Sequence, residues 1–245
     1  ARALYLLLNN EPTLDHALPV AVRAALGSAK SVIALTAYRS PELLELADCL
    51  LPIAPFTETA GSFVNCEGRL QSFTAVVRPA GECRPAWKVL RVLADLASVP
   101  GIAFDSAEAV RAAALPEGWF SRLDNHVAGS LLAPVSPPAG SLERLADVPI
   151  YFADPIVRRA GSLQATRDAR APRALINART LAQAGVEGAA RIRITQLRGA
   201  HTGSIDVPVE IDEGMADGVI RIAVAHPDTA ALPASCGALT ITEVR

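Results

Sequence analysis

The chain has 245 residues, enough for one large domain or two smaller ones, and 51% hydrophobic with 20% charged residues excludes a disordered polymer. A formal net charge of −2 and only 4% aromatic residues exclude a nucleic-acid partner, which needs a concentrated basic surface and rings to stack on. No run approaches the roughly 18 apolar residues of a membrane-spanning helix, so direct membrane insertion is not expected.

The run ALYLLL at residues 3–8 reads as a fully buried parallel strand, bounded by NNEP. It begins abruptly, without an initiator Met or a leader pattern, which suggests a piece of a longer polypeptide. Pro19 in a first turn and Gly27 as a C-terminal cap predict a short helix over residues 19–26. SVIALTAY, residues 31–38, is a second buried strand, and a helix follows with Ser40 as N-cap and Pro41 in its first turn. CLLPIAP adds a short strand that Pro52 and Pro55 end. The alternation predicts a parallel, Rossmann-like α/β layer with right-handed crossovers.

ETAGSFVNCEGRLQSF, residues 58–73, reads as two short extended arms around a turn in which Gly68 takes positive φ. Asn65 and Glu67 have two readings there: local hydrogen bonds to the turn backbone, or contact with a ligand. Glu58 and Glu67 are likewise either a carboxylate pair across the turn or separate capping and solvated groups. Pro85 opens a strong helix in which Trp87, Leu90, Leu93 and Leu96 recur at helical spacing, a stripe expected in the core. Asp105 and Glu108 form a capping pattern before AVRAAAL, and residues 131–141 are a proline-rich surface connector. From residue 174 on, RIRITQL, SIDVPVEI and GVIRIAVA alternate between Gly199, Gly203, Gly214 and Gly218, predicting a small β-barrel or sandwich. Two domains are expected, α/β over residues 1–168 and barrel-like over 169–245.

The basic residues are nearly all arginine, Lys30 and Lys88 being the only lysines. Those gathered over residues 158–198 are interrupted by acids and read as a solvated or partner-facing surface. Cys49, Cys66, Cys83 and Cys236 have neither metal-knuckle nor disulfide-framework spacing and are expected as free thiols. His16, His126, His201 and His226 form no ligand pair, so no metal site is expected. GxGxxG, GxxxxGK[ST] and GxSxG are all missing, and the residues by themselves lead no further than an α/β plus β protein.

One stretch carries more. ADCLLPIAPFTETAGSFVNCEGRLQSF followed by RPAGECRPAWKVLRVLADL resembles the molybdopterin oxidoreductase superfamily. Within it, PAWKVLRVL and IYFADPIVRRAGSLQAT look most like the large iron–sulfur subunit of NADH:quinone oxidoreductase, respiratory complex I. The resemblance implies a peripheral-arm subunit of a proton-translocating enzyme, on the cytoplasmic face of the inner membrane, with other subunits of that arm as partners. It implies that this chain is a non-catalytic C-terminal portion without activity alone, its iron–sulfur clusters held in an N-terminal part, and no cofactor here. Glu58, Asn65, Glu67 and Arg69 would then line a relic cofactor pocket, and Cys66 and Cys83 would be neutral substitutions. The alternative is the C-terminal part of an active molybdopterin enzyme such as a formate dehydrogenase, whose relatives share the GE.RP.W pattern.

Overall fold

The computed structural model describes residues 3–124 and 141–244; the proline-rich connector, but for Ser141, lies outside them. They fall into two compact units, Leu4–Asn10 with residues 31–124 and Glu11–Lys30 with residues 141–244. The residues that follow the first strand thus group with the C-terminal half of the chain.

In the first unit, β1 (Leu4–Leu8) pairs in parallel with β2 (Ser31–Thr36), which pairs in parallel with β3 (Cys49–Pro52). Between these strands the chain forms α1 (Pro19–Gly27), grouped with the other unit, and α2 (Pro41–Leu46). Val32, Ala34 and Leu35 of β2 are buried, as a central strand requires. β1 is not: Leu4, Leu6 and Leu8 are about half exposed, alternating with better-covered neighbours. It is an edge strand covered on one face, and a leucine run broken only by Tyr5 conceals that alternation from sequence. The cap at α2 is as expected, Ser40 Oγ accepting from the Leu43 N–H at 3.2 Å. At α1 the cap falls one residue later, Gly27 being helical and Ser28 donating to the Ala24 carbonyl.

The unit continues with an antiparallel hairpin, β4 (Gly61–Val64) and β5 (Leu70–Phe73), on which Phe63 and Phe73 stack at 5.3 Å. Pro85 caps α3 (Ala86–Leu96), where only Ala94 is buried; Trp87, Leu90 and Leu93 are half-buried and Leu96 is 80% exposed. The expected core stripe is therefore only partly covered: periodicity defines a face, but its neighbours decide whether it is buried. The N-cap of α4 (Ala107–Ala114) is Ser106, whose Oγ accepts from the Ala109 N–H. Asp105, expected as the cap, pairs instead with Arg91 at 2.7 Å.

The second unit is built on a closed six-stranded barrel. β6 (Leu142–Asp147) comes first; α5 (Gly161–Gln164), β7 (Ala174–Ile176) and α6 (Ala178–Gln183) follow. Then come β8 (Arg191–Arg198), β9 (His201–Ile211), β10 (Val219–Ala223) and β11 (Gly237–Glu243). Around the barrel the order is β10-β6-β11-β8-β9-β7, closed by the β7–β10 pair. The pairs β6–β10 and β7–β9 are parallel and the others antiparallel. Period-two isoleucines, Ile192 and Ile194, Ile220 and Ile222, point into one apolar interior with Ile176, Val207 and Leu239. Each such side chain contributes about 1.5–3 kcal/mol on leaving water, so this cluster dominates the unit. Gln196, 1% exposed, is tolerated among them because it donates to the Cys236 carbonyl and accepts from the Ala234 N–H.

At Gly203 of β9 a side chain would collide with the backbone, its Cβ lying 1.8 Å from the Ala231 carbonyl oxygen. Gly203→Ala is expected to destabilise the unit by about 1–3 kcal/mol in urea unfolding, the usual cost of overpacking. Trp87→Ala should cost about 1–2 kcal/mol, less than the 3–5 of a fully buried tryptophan, in the same measurement.

Candidate functional site

The hairpin tip is held by Asn65. Its Oδ1 accepts from the N–H groups of Glu67 at 3.0 Å and Arg69 at 2.8 Å, and its carbonyl accepts from Gly68, whose φ is +76°. This is the local hydrogen-bonding role, open beside a ligand role in the sequence. The positive φ favours glycine there; a Cβ on Gly68 would meet only the movable side-chain ends of Leu123 and Phe120. Glu67 and Arg69 face solvent about 70% exposed, their charged groups 3.9 Å apart.

Glu58 is engaged elsewhere. Its Oε2 accepts from the Ala80 N–H at 2.9 Å, while the Thr57 carbonyl accepts from Val76. Together these bonds tie the chain after β5 back to the segment before β4. Asn65, Glu67 and Arg69 are thus brought together in one turn, and Glu58 has a separate partner; the two carboxylates do not form a pair.

A recess of about 240 Å³ lies beside the hairpin arms instead, lined by Ser62, Ser72, Thr74, Glu108 and Arg111. Arg111 donates to Ser72 Oγ at 2.8 Å, and Ser72 bonds Ser62 across the strands at 2.9 Å. None of the four residues singled out in the sequence lines it. The available signal was a lone arginine in an alanine-rich helix, AEAVRAAA, which periodicity does not distinguish from any exposed position.

The other concentration of charge is in the barrel unit. Glu11, 6% exposed, accepts from Arg158 Nη1 at 2.8 Å and is also bound by Arg159; Asp15 accepts from Arg158 Nη2 at 2.7 Å. Arg158 Nε donates to the Phe152 carbonyl. Burial opposes the charge on Glu11, but hydrogen bonds and charge from Arg159 and Arg158 outweigh it and hold the carboxyl below its usual range. Arg158, expected on a solvated or partner-facing surface, is instead a buried structural residue, with its side chain 6% exposed. Arg179, at 72%, does face solvent. His226 packs its ring against Phe152 at 4.3 Å, and burial lowers its pKa against the opposing pull of Asp228.

Comparison with known proteins gives this scaffold a lineage. Residues 2–96 match the Molybdopterin oxidoreductase family. That match takes in the N-terminal part of the chain. It is similar to an NADH-quinone oxidoreductase subunit from Streptomyces coelicolor, 31% identical over 214 residues, 82% of this chain and 24% of that protein. The NADH-quinone oxidoreductase subunit of the same name from Mycobacterium bovis is 36% identical over 143 residues, 55% of this chain and 17% of that one. The mitochondrial 78 kDa subunit of NADH-ubiquinone oxidoreductase from Candida albicans is 43% identical over 49 residues, 20% of this chain and 7% of that one. The resemblance read from the sequence therefore stands. The chain spans about a quarter of the length of the Streptomyces relative. Acetylene hydratase from Pelobacter acetylenicus has the same fold, with a TM-score of 0.65 at 16% identity over 98% of this chain and 44% of that one. That identity shows the fold alone, so an active molybdopterin enzyme is not favoured.

The family's cofactors can be tested against the side chains present. Among the described residues no three of His, Cys, Asp and Glu stand together as a metal set, so the donors do not fit an iron–sulfur cluster. A recess of about 360 Å³ sits at the carboxyl ends of β2 and β3, the place where an open parallel sheet takes ligands. Its lining is Ala37, Leu44, Leu50, Leu51 and Pro52 with the polar Thr36 and Tyr38, and Arg39 is its charged group. No helix among the described residues is long and apolar enough to cross a membrane.

These charges give a pH profile. His226, with a lowered folded pKa, contributes stability that is complete above its usual 6.5 and is lost as pH falls toward the folded value. Glu11, also lowered, contributes stability that is complete above its usual 4.5 and is lost as pH falls through its own folded value. Unfolding free energy should be flat near pH 7–8 and fall in two acid steps, the upper one abolished in His226→Phe. Breaking the buried pair with Glu11→Ala should cost about 3–5 kcal/mol at pH 7.

Proposed function

We propose that this chain is a non-catalytic, structural portion of the large iron–sulfur subunit of NADH:quinone oxidoreductase. It shapes and stabilises the subunit while electrons pass from NADH toward quinone through other parts of the assembly. The observation that carries this reading is the similarity to the Streptomyces NADH-quinone oxidoreductase subunit across 82% of the chain. The clusters belong, on this reading, to another part of a polypeptide as long as the relatives are. The chain by itself has no activity, and proton translocation belongs to the assembled enzyme. Its partners are other subunits of the peripheral arm, which it meets at the cytoplasmic face of the inner membrane without entering the bilayer.

The residues at the hairpin have a structural role in this reading. Asn65 forms the turn, Glu58 clamps a loop, and Glu67 and Arg69 are exposed, so none is needed for electron flow. Glu67→Gln should leave NADH oxidation by the assembled complex nearly unchanged. A large drop in turnover with normal assembly would reject the structural role. The intact native polypeptide should contain iron without molybdenum, tungsten or pterin; stoichiometric molybdenum or tungsten with pterin would return the active-enzyme alternative.

A further inference from the structure

Ser62 and Ser72 stand opposite each other in the hairpin register, on the face away from the stacked Phe63 and Phe73. Arg111 of α4 reaches this hydroxyl face: its Nη1 donates to Ser72 Oγ at 2.8 Å, and Ser72 Oγ lies 2.9 Å from Ser62 Oγ. A serine Oγ is bonded directly to Cβ, so these distances hold the guanidinium at the wall of the recess that Ser62, Ser72 and Arg111 line. The two hydroxyls own two protons and share one hydrogen bond, so whichever donates, one O–H is left to give. Among the described residues Arg111 has no carboxylate partner, and most of its N–H donors are unengaged. Ser72 is exposed and Arg111 half-buried, so a dissolved molecule can reach these donors. Glu108, one turn earlier on α4, lines the same recess, is exposed, and has no side-chain partner among the described residues. Residues three apart on a helix share a face with their Cβ atoms about 5–6 Å apart, yet Glu108 and Arg111 do not pair.

We propose that this recess binds a small zwitterion of the α-amino-acid class. Its carboxylate accepts from Arg111 and from the spare serine hydroxyl, and its ammonium group donates to Glu108. A cation and an anion one helical turn apart match a ligand that carries both charges, and Glu108 disfavours a phosphate or any other dianion. The recess holds about 240 Å³. Sites for drug-sized ligands begin near about 300 Å³, so this one suits a molecule of few heavy atoms. Both charges stand near solvent, where each ion pair contributes little, which sets the affinity on the order of millimolar. The lining belongs to one compact unit, and the site does not depend on the reading of function above.

The test is ligand-observed saturation-transfer NMR on the full chain with L-alanine and, separately, with propionate, which is alanine without its ammonium group. Alanine should saturate, and propionate should bind about fivefold more weakly. Arg111→Gln should weaken both ligands. Glu108→Gln should weaken alanine about fivefold and strengthen propionate, reversing the preference between them. Neither substitution removes the partner of a buried group, and an unchanged melting temperature checks that the variants are folded. Alanine that does not saturate, alanine and propionate binding equally well, or alanine binding that either variant leaves unchanged would overturn the proposal.

Discussion

A carboxylate taken out of water and enclosed by two guanidinium groups fixes two remote segments of the barrel unit to each other. Glu11 is separated from Arg158 by 147 positions in the chain, yet the two bond at 2.8 Å with little solvent access. Neither charge would be stable there alone, since an unpaired buried ion costs several kcal/mol. The pair therefore makes one packing unit out of two remote segments. It also explains why α1, which lies between two strands of the parallel sheet in sequence, groups with the barrel.

The barrel was legible where its strands repeat with period two. β8, β9 and β10 alternate β-branched residues with polar ones, and the alternation became inside and outside. β6 and β7 were not legible. β6 reads LERLAD, with a buried arginine that two backbone carbonyls accommodate, and β7 has only three residues. A strand of that length lies below any periodicity signal, and its place is fixed by pairing with β9 and β10.

The candidate site was legible in part. Asn65 and Gly68 could be identified as turn residues because local hydrogen bonding and positive φ are properties of a few neighbouring residues. The partner of Glu58, Ala80, is a backbone N–H 22 residues away, which no sequence pattern encodes. The same limit applied to Asp105: its distance from the helix start differs by one residue from that of Ser106, and Arg91 decided between them. The apolar stripe on α3 marked the correct face of the helix and gave no information on how much of it is covered.

The leucines of β1 have a consequence for strand register. Leu4, Leu6 and Leu8 present the same side chain at every second position, so sliding the strand by two residues would leave its outer face chemically unchanged. The stripe has a shape but no address. The address comes from Asn9, which bends at φ +46° and donates to the Leu35 carbonyl at 2.7 Å, a conformation that a leucine moved into its place would resist. One polar residue just beyond the strand therefore supplies alignment information that the three outer leucines lack.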